Sequence, residues 1–450
     1  MKKAAFQRLF LWVCVCWKIH FGYMNGLQSI FLSLFKTIAR LFEPMTQRNI
    51  MNKYLQQLSV LVGAVGLLVG SAMAQGTMRN EVIKPLAAAQ EAIKSNQNEQ
   101  ALGLLRDALA VPQLTVNEKN MILRTQAVAA LRAQKWAIAV EALESLVTSA
   151  DVAQADKPPL LESLINACLQ TKDDARVVKW SRQYFQVGGA NPAVHLAMVQ
   201  SLVASGQHTE VVTVMLGKAR QDASTGKKTP EPELRAWALS YRQLKDDAGY
   251  MNTLKQLLSS YPSKVYWAEV IGRMSQQAGL NTRLELDLYR LLEETDNLED
   301  AAEYMEMASL ALKAGLPTEA VRVLTKGFDV GVLGKGAEAV AHAKLRTDAH
   351  KKVREDDALF VQLEKSAKDG PSWAAVGDVH FSRQNWSAAH LAYAKAIESG
   401  GLRREHEVRL HDAISLVHAQ QKVAARQQLA LVSGDATAVE LAALWTILAR

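Results

Sequence analysis

The histidines that come nearest to a catalytic arrangement are His406, His411 and His418. A zinc-protease helix places two histidines four residues apart, so that both face one ion with a glutamate between them. His406-Glu407 and His411 are five apart, about 140° around a helix that advances about 100° per residue, so both cannot ligate one ion without distortion. His418 does share the face of His411, but solvated or capping histidines account for the pattern without a metal. Gly226-Lys227-Lys228-Thr229 has the ending of a phosphate-binding loop. The preceding glycine, Gly217, is too distant, and Pro230 and Pro232 stand where the helix should begin, so this reads as a loop with solvated lysines. Glu293 and Glu294 are adjacent and therefore face different directions. Lys351, Lys352 and Arg354 lack interleaved aromatics and are offset by Glu355, Asp356 and Asp357, and Arg403-Arg404 is a second short basic pair. No nucleophile and base, metal set or cofactor loop is recognisable by spacing, and the chain is expected not to be an enzyme.

The elements that would position such residues are helices in repeating pairs. Between Trp373 and Ala396 the residues Trp373, Val376, Gly377, Ala389, Tyr393 and Ala396 alternate large and small at a spacing that lets two antiparallel helices pack closely, with Ser382-Arg383-Gln384-Asn385 as the turn. That spacing resembles the tetratricopeptide pattern. A second copy runs from Ala127 to Leu146, where Trp136 stands three residues before Ala139 as Trp386 does before Ala389. Weaker copies have second helices near Ala101, Val177, Val211, Tyr250, Leu284 and Ala320, about 34 to 39 residues apart against a nominal repeat of about 34. First helices are predicted over Pro192 to Ser205, Pro232 to Leu244, Tyr266 to Gln277 and Asp300 to Ala314, three of them ending at Gly206, Gly279 and Gly315.

Two stretches, Ala337 to Asp369 and Glu405 to Val432, are periodic but irregular and read as degenerate copies. Thr437 to Leu448 reads as a capping helix, since a solenoid must hide its last apolar face. Alternating β-branched runs are missing, and alanine and leucine dominate. The expected fold is all-α, a tetratricopeptide-like superhelical solenoid of antiparallel helix pairs over residues 75–450; a non-repeating bundle is the alternative. First helices line the concave side of such a stack. By position Arg235, Arg242, Glu269, Arg273, Met305, Ser309, Asp378 and Phe381 are the candidate lining of a protein-binding groove, each of which could equally be an ordinary surface residue.

A leader stands apart from the repeats. Met51-Asn52-Lys53 opens a polar region, Leu58 to Val69 is an uncharged apolar run, and Ala72-Met73-Ala74 precedes Gln75, the layout of a signal peptide over residues 51–74 cleaved after Ala74. The run is shorter than the roughly 20 residues of a membrane span. Met51, or Met45, is then the expected start, with residues 1–50 a misassigned extension; the competing reading makes Leu9 to Trp17 and Ile30 to Phe35 membrane-associated helices. The formal net charge of +7 belongs to this leader. Residues 1–74 carry Lys2, Lys3, Arg8, Lys18, Lys36, Arg40, Arg48 and Lys53 against Glu43 alone, so the mature chain is neutral and a nucleic-acid partner loses its support. Cys14 and Cys16 also fall there. That leaves Cys168 single in the mature chain, and its apolar neighbours Leu164, Ile165 and Leu169 predict a buried thiol.

From about Asn80 to Val432 the order of segments resembles the tetratricopeptide proteins encoded beside TonB, ExbB and ExbD components in Gram-negative bacteria. The residues that carry the resemblance are Pro232-Glu233-Leu234-Arg235-Ala236-Trp237-Ala238-Leu239, then Leu254, Leu257 and Leu258, and Tyr261-Pro262 with Tyr266-Trp267. Ala314-Gly315-Leu316-Pro317 with Gly331-Val332-Leu333, and Lys395 to Leu402, are also similar to the family, whereas Ala337 to Asp369 departs from it. The resemblance implies a periplasmic adaptor or scaffold, accessory to a TonB-type energy transduction and outer-membrane uptake system. Its partners would be periplasmic parts of TonB, ExbD or a receptor, with no catalytic residues or cofactors to carry over and no stable membrane insertion of the mature chain. A scaffold for envelope biogenesis is the alternative within this class. A helical-repeat enzyme such as a lytic transglycosylase would need a catalytic domain for which the repeats, running almost to Arg450, leave no room.

Overall fold

The computed structural model describes residues 78–277 and 279–450; the expected leader, extension and cleavage site lie outside them. Among the described residues there is no strand, and the α-helices follow one another in antiparallel pairs. The first pair is α1 (Asn80–Lys94) and α2 (Asn98–Leu109), followed by α3 (Val116–Arg132) with α4 (Trp136–Thr148), α5 (Lys157–Gln170) with α6 (Asp174–Gln186), and α7 (Pro192–Ala204) with α8 (His208–Thr225). Next come α9 (Glu231–Gln243), α10 (Asp247–Ser260), α11 (Lys264–Ser275), α12 (Glu285–Glu294), α13 (Ala301–Lys313) and α14 (Pro317–Asp329). The series ends with α15 (Ala339–Ser366), α16 (Gly370–Ser382), α17 (Trp386–Ser399), α18 (Glu405–His418), α19 (Lys422–Leu429) and α20 (Ala436–Leu448). The expected all-α, tetratricopeptide-like stacking of helix pairs is therefore present.

One turn geometry recurs within the pairs. Asn96, Gln134, Lys172, Lys245, Gln384 and Gln420 all have φ between 55° and 61°, and Gly206 and Gly315 take the same place with φ 71° and 78°. In each case the next residue's N–H donates to the carbonyl five residues back: Gln97 to Ala92, Lys135 to Ala130, Asp173 to Cys168, Gln207 to Leu202, Asp246 to Tyr241, Leu316 to Ala311, Asn385 to His380 and Gln421 to Leu416. This is the Schellman closure, which satisfies last-turn carbonyls and reverses the chain within a few residues. The repeat is thus written into the backbone where the sequence copies are weak.

The seam is as the spacing predicts. Ala389, Tyr393 and Ala396 are fully buried, and a Cβ on Gly377 would lie 2.5 Å from the Tyr393 ring. Cys168 is a buried free thiol whose pKa burial pushes up to about 12. One expectation fails. Residues 337–369 do not form a degenerate pair: α15 is a single 28-residue helix. The reason is local, since from Ala339 to Ser366 the sequence contains neither Gly nor Pro and Ala, Lys and Leu recur along it, so nothing interrupts the helix. The second irregular stretch does form a pair, α18 and α19.

The described chain divides into two compact units, 78–253 and 254–450, with the boundary inside α10. In the N-terminal unit, side-chain bonds between pairs span one repeat. Arg79 Nη2 donates to Glu118 (2.9 Å, 39 residues apart), Trp180 Nε1 to Glu144 (2.8 Å, 36 apart), and His195 Nδ1 lies 2.9 Å from Glu233, 38 residues on. In the C-terminal unit bonds of that span coexist with much longer ones, described next.

Candidate functional site

The candidate groove residues fall in both units, and their surroundings differ. In the N-terminal unit Arg235 and Arg242 on α9 are partly exposed. In the C-terminal unit Arg273 Nε donates to the fully buried Glu269, one turn away on α11 (3.0 Å), so Glu269 is a packing residue and not an exposed one. Met305 is partly exposed, and Ser309 is exposed with its hydroxyl donating back to the Met305 carbonyl. Asp378 is half-exposed and accepts from Tyr393 Oη at 2.8 Å. Phe381 is buried, packed edge-on against Trp386 and lying 4.7 Å beneath the Arg290 guanidinium, so it too is removed from solvent. For Phe381 the cause is plain: a position that faces outward in an isolated pair is covered here by a helix from elsewhere in the unit.

That helix is α12. Its sequence Glu-Leu-Asp-Leu-Tyr-Arg-Leu-Leu-Glu-Glu buries seven consecutive residues, Leu286 to Leu292, among them Asp287 and Arg290. Arg290 Nη1 donates to Asp287 at 2.8 Å, and its Nε and Nη2 make a bidentate pair with Glu319 of α14 at 2.8 and 2.7 Å. Asp287 also accepts from Nε2 of His411 on α18 at 3.0 Å, 124 residues away, while His411 Nδ1 lies 3.5 Å from Asp378 on α16. Burial alone would depress the His411 pKa. The Asp287 carboxylate, aided by its hydrogen bond and that of Asp378, outweighs burial and raises it to about 10, so His411 is an imidazolium at neutral pH. Burial works against ionisation of Asp287 as well, and His411 and Arg290 reverse that, holding its pKa well below the usual carboxylate range.

A second node lies one turn along α12. Glu293 accepts a bidentate pair from Arg322 at 2.5 and 2.8 Å, and Lys326 Nζ lies 3.5 Å away. His418 stacks on Trp386 with ring centroids 4.3 Å apart, and burial lowers its pKa. Two of the histidines first considered as ligands, His411 and His418, are thus partly buried packing residues, and His406 is also partly exposed. Among the described residues no group of three or more His, Cys, Asp or Glu side chains is placed to hold a metal ion. The charges instead balance one another across α12, α14, α16 and α18, which orients these helices. Asp287, Arg290, Glu319 and Arg322 are not singled out by the sequence, and Glu293 stands out there only as one of two adjacent carboxylates. The available signal is Asp287 and Arg290 three apart within the leucine-rich run Leu286–Leu292.

The basic loop is also placed. Gly226 caps α8 in the left-handed conformation (φ 66°), Thr229 Oγ1 donates to the buried Asp222 at 2.9 Å, and Lys227 and Lys228 are exposed. It closes a helix, as the two following prolines suggested.

These features define an all-helical repeat protein of stacked antiparallel pairs. No family model and no curated protein matches the chain in sequence. Among solved structures, the crystal structure of the APC/C hetero-tetramer Cut9-Hcn1 matches over 91% of this chain and 86% of that one, at 14% identity and a TM-score of 0.22. Similarity that low carries no argument, and the fold assignment rests on the helix pairs themselves.

Proposed function

We propose that the chain is a protein-binding scaffold acting in the periplasm as an accessory of a TonB-type energy transduction system. The observation that carries the scaffold reading is the series of antiparallel pairs built on one Schellman turn, from Asn96 to Gln420. Stacked pairs of this kind offer long surfaces lined by side chains from successive repeats, suited to a protein or an extended peptide. The periplasmic part rests on the signal-peptide layout before Gln75, and the TonB part on the segments from Pro232 to Trp267 that resemble the family. No helix among the described residues is long and apolar enough to cross a membrane. Arg235 and Arg242 in one unit, and Met305, Ser309 and Asp378 in the other, are the proposed contact residues, with Glu269 and Phe381 supporting from beneath.

The test is capture of periplasmic TonB, ExbD and receptor fragments by the purified protein. Enrichment that weakens with Arg235→Ala and Arg242→Ala is expected, and no enrichment even after crosslinking would sink the TonB assignment. Crosslinking in cells that instead captured cell-wall or outer-membrane assembly proteins would move the scaffold to envelope biogenesis. Cell fractionation with N-terminal sequencing checks the location, the expected first residue being Gln75.

A further inference from the structure

The last helix does more than cap the stack. α20 is apolar on most of its faces, as a helix covered from several sides must be. Ala438, Leu441, Leu444 and Trp445 are buried, and the helix packs on α18 and α19, its chain neighbours, and also on α12. Polar groups from the beginning of the unit address it. The Asn281 backbone N–H donates to Thr437 Oγ1 at 3.1 Å and its Nδ2 to Asp435 Oδ2 at 2.9 Å. Lys255 Nζ lies 2.6 Å from Glu440 Oε1, and the Arg450 side chain reaches Ser259. A cap needs only to cover the last pair, for which α18 and α19 suffice. The bonds from Lys255 and Asn281 are additional and read a helix specifically: an acidic N-cap at Asp435, Glu440 just over one turn on, and an apolar seat for Trp445 the same step further.

We propose that this seat, formed by Lys255, Ser259 and Asn281 with α12, α18 and α19, is a helix-binding site of the scaffold and that α20 is its resident ligand. The partner it fits is a helix of the same chemistry, with Asp at the N-cap, Glu in the second turn and Leu and Trp on the seated face. It gains access by displacing α20 about the linker Ala430–Asp435, where Leu431 is exposed and Gly434 has φ 88°. This inference rests on the scaffold reading and names the partner class of one of its surfaces.

The probe is a fluorescein-labelled peptide with the sequence of Asp435–Arg450, added to the full chain. A resident ligand lowers apparent affinity by the fraction of time that it holds the seat. Full chain carrying Asp435→Ala and Glu440→Ala in its own α20 is therefore expected to bind the unaltered peptide at least about tenfold more tightly than the unaltered chain does. Lys255→Glu added to that chain should abolish binding, and a peptide carrying Glu440→Lys should restore it. Binding that Lys255→Glu leaves unaffected, or no binding of the unaltered peptide by the Asp435→Ala, Glu440→Ala chain while its circular dichroism is unchanged, overturns the proposal. Hydrogen exchange on the unaltered chain provides a second reading independent of variant folding. Amides of α20 are expected to exchange faster than those of α18, and equal protection, meaning that α20 leaves only on global unfolding, overturns it. Partner capture that fails beside a positive peptide result sinks the scaffold reading alone, whereas a captured partner beside a negative peptide result sinks the seat alone.

Discussion

The two units are built from the same helix pairs but tied together differently. In the N-terminal unit the polar bridges described run from one pair to the next, as in Arg79 with Glu118, Glu144 with Trp180 and His195 with Glu233, 36 to 39 residues apart. In the C-terminal unit Asp287 meets His411 over 124 residues and Asn281 meets Thr437 over 156. The first arrangement is nearly one-dimensional: each pair is stabilised by its neighbours, and local damage should stay local. The second is closed, because α12 touches helices from both ends of its unit, and loss of any member of the ring exposes the others. The same repeat therefore yields a stack that can fray and a body in which α12, α14, α16 and α18 should unfold as one.

The sharpest way to break this contrast is to remove one charge from each unit. Arg290→Met strips buried Glu319 of its bidentate partner and leaves Asp287 with His411 alone, and breaking a buried pair from one side costs about 3–5 kcal/mol. Arg124→Met removes a partly exposed pair with Asp156, for which about 0–1 kcal/mol is expected. Denaturant unfolding followed by hydrogen exchange should show protection lost across 254–450 in the first case and almost unchanged in the second. Comparable effects from the two variants would refute the distinction.

The pH dependence comes next. The His411 pKa is raised in the folded chain to about 10, so the folded state binds that proton more tightly than the unfolded one. Its contribution, on the order of a few kcal/mol, is complete below about pH 6.5 and disappears as pH rises through 10. Glu303 at the start of α13 works in the same direction: burial raises its pKa to about 7, so stability declines as pH climbs from about 4.5 through 7. The N-terminal unit has the opposite sign at Glu118, whose pKa Arg79 and the Thr115 and Arg79 amides lower to about 2, so its contribution is lost only in strong acid. Titrating each unit's hydrogen-exchange protection should find the C-terminal unit weakening in alkali first. His411→Gln should flatten that limb, and a limb unchanged in the variant would place its origin elsewhere.

Helix seams offer a smaller test. Gly377→Ala drives a Cβ to 2.5 Å from the buried Tyr393 ring, so overpacking of about 1–3 kcal/mol is expected, transmitted to the whole C-terminal unit. Gly103→Ala, inside α2 with nothing within 4 Å of the new carbon, should stabilise its own unit by up to about 1 kcal/mol. Melting curves with a probe in each unit would separate the two, and a gain at Gly377 would mean that Tyr393 moves freely, against its complete burial.

These contrasts also mark what was legible in the sequence. Trp373, Gly377, Ala389 and Tyr393 announce their seam because their partners lie within one repeat, and periodicity reports short-range packing. The run without Gly or Pro from Ala339 to Ser366 is legible too, and there the chain follows the local signal and not the repeat. Asp287, Arg290 and His411 could not be joined from sequence, since no spacing rule reaches over 124 residues and an Asp-Arg pair three apart is ordinary on a solvated helix. The same blindness puts Phe381 on a surface. Facing positions are predictable for one pair, whereas their covering depends on closure.

The smallest effects discriminate most finely, because they leave the fold intact. Lys172 and Gln420 occupy the same left-handed turn position, one in each unit, with φ 57° and 61°. A side chain there strains the backbone, and glycine relieves the strain at the cost of a more flexible unfolded chain, so Lys172→Gly and Gln420→Gly should each change stability by less than about 1 kcal/mol. The size is similar at both sites because the turn is the same; the spread should differ. In a nearest-neighbour stack the gain at Lys172 should appear in the exchange of α5, α6 and adjoining helices and fade beyond them. In a closed unit the gain at Gln420 should appear equally in α12, α14 and α18, since they lose protection together. A gradient around Gln420 as steep as that around Lys172 would mean that the long-range bonds of Asp287, Asn281 and Lys255 decorate an open stack and do not close it.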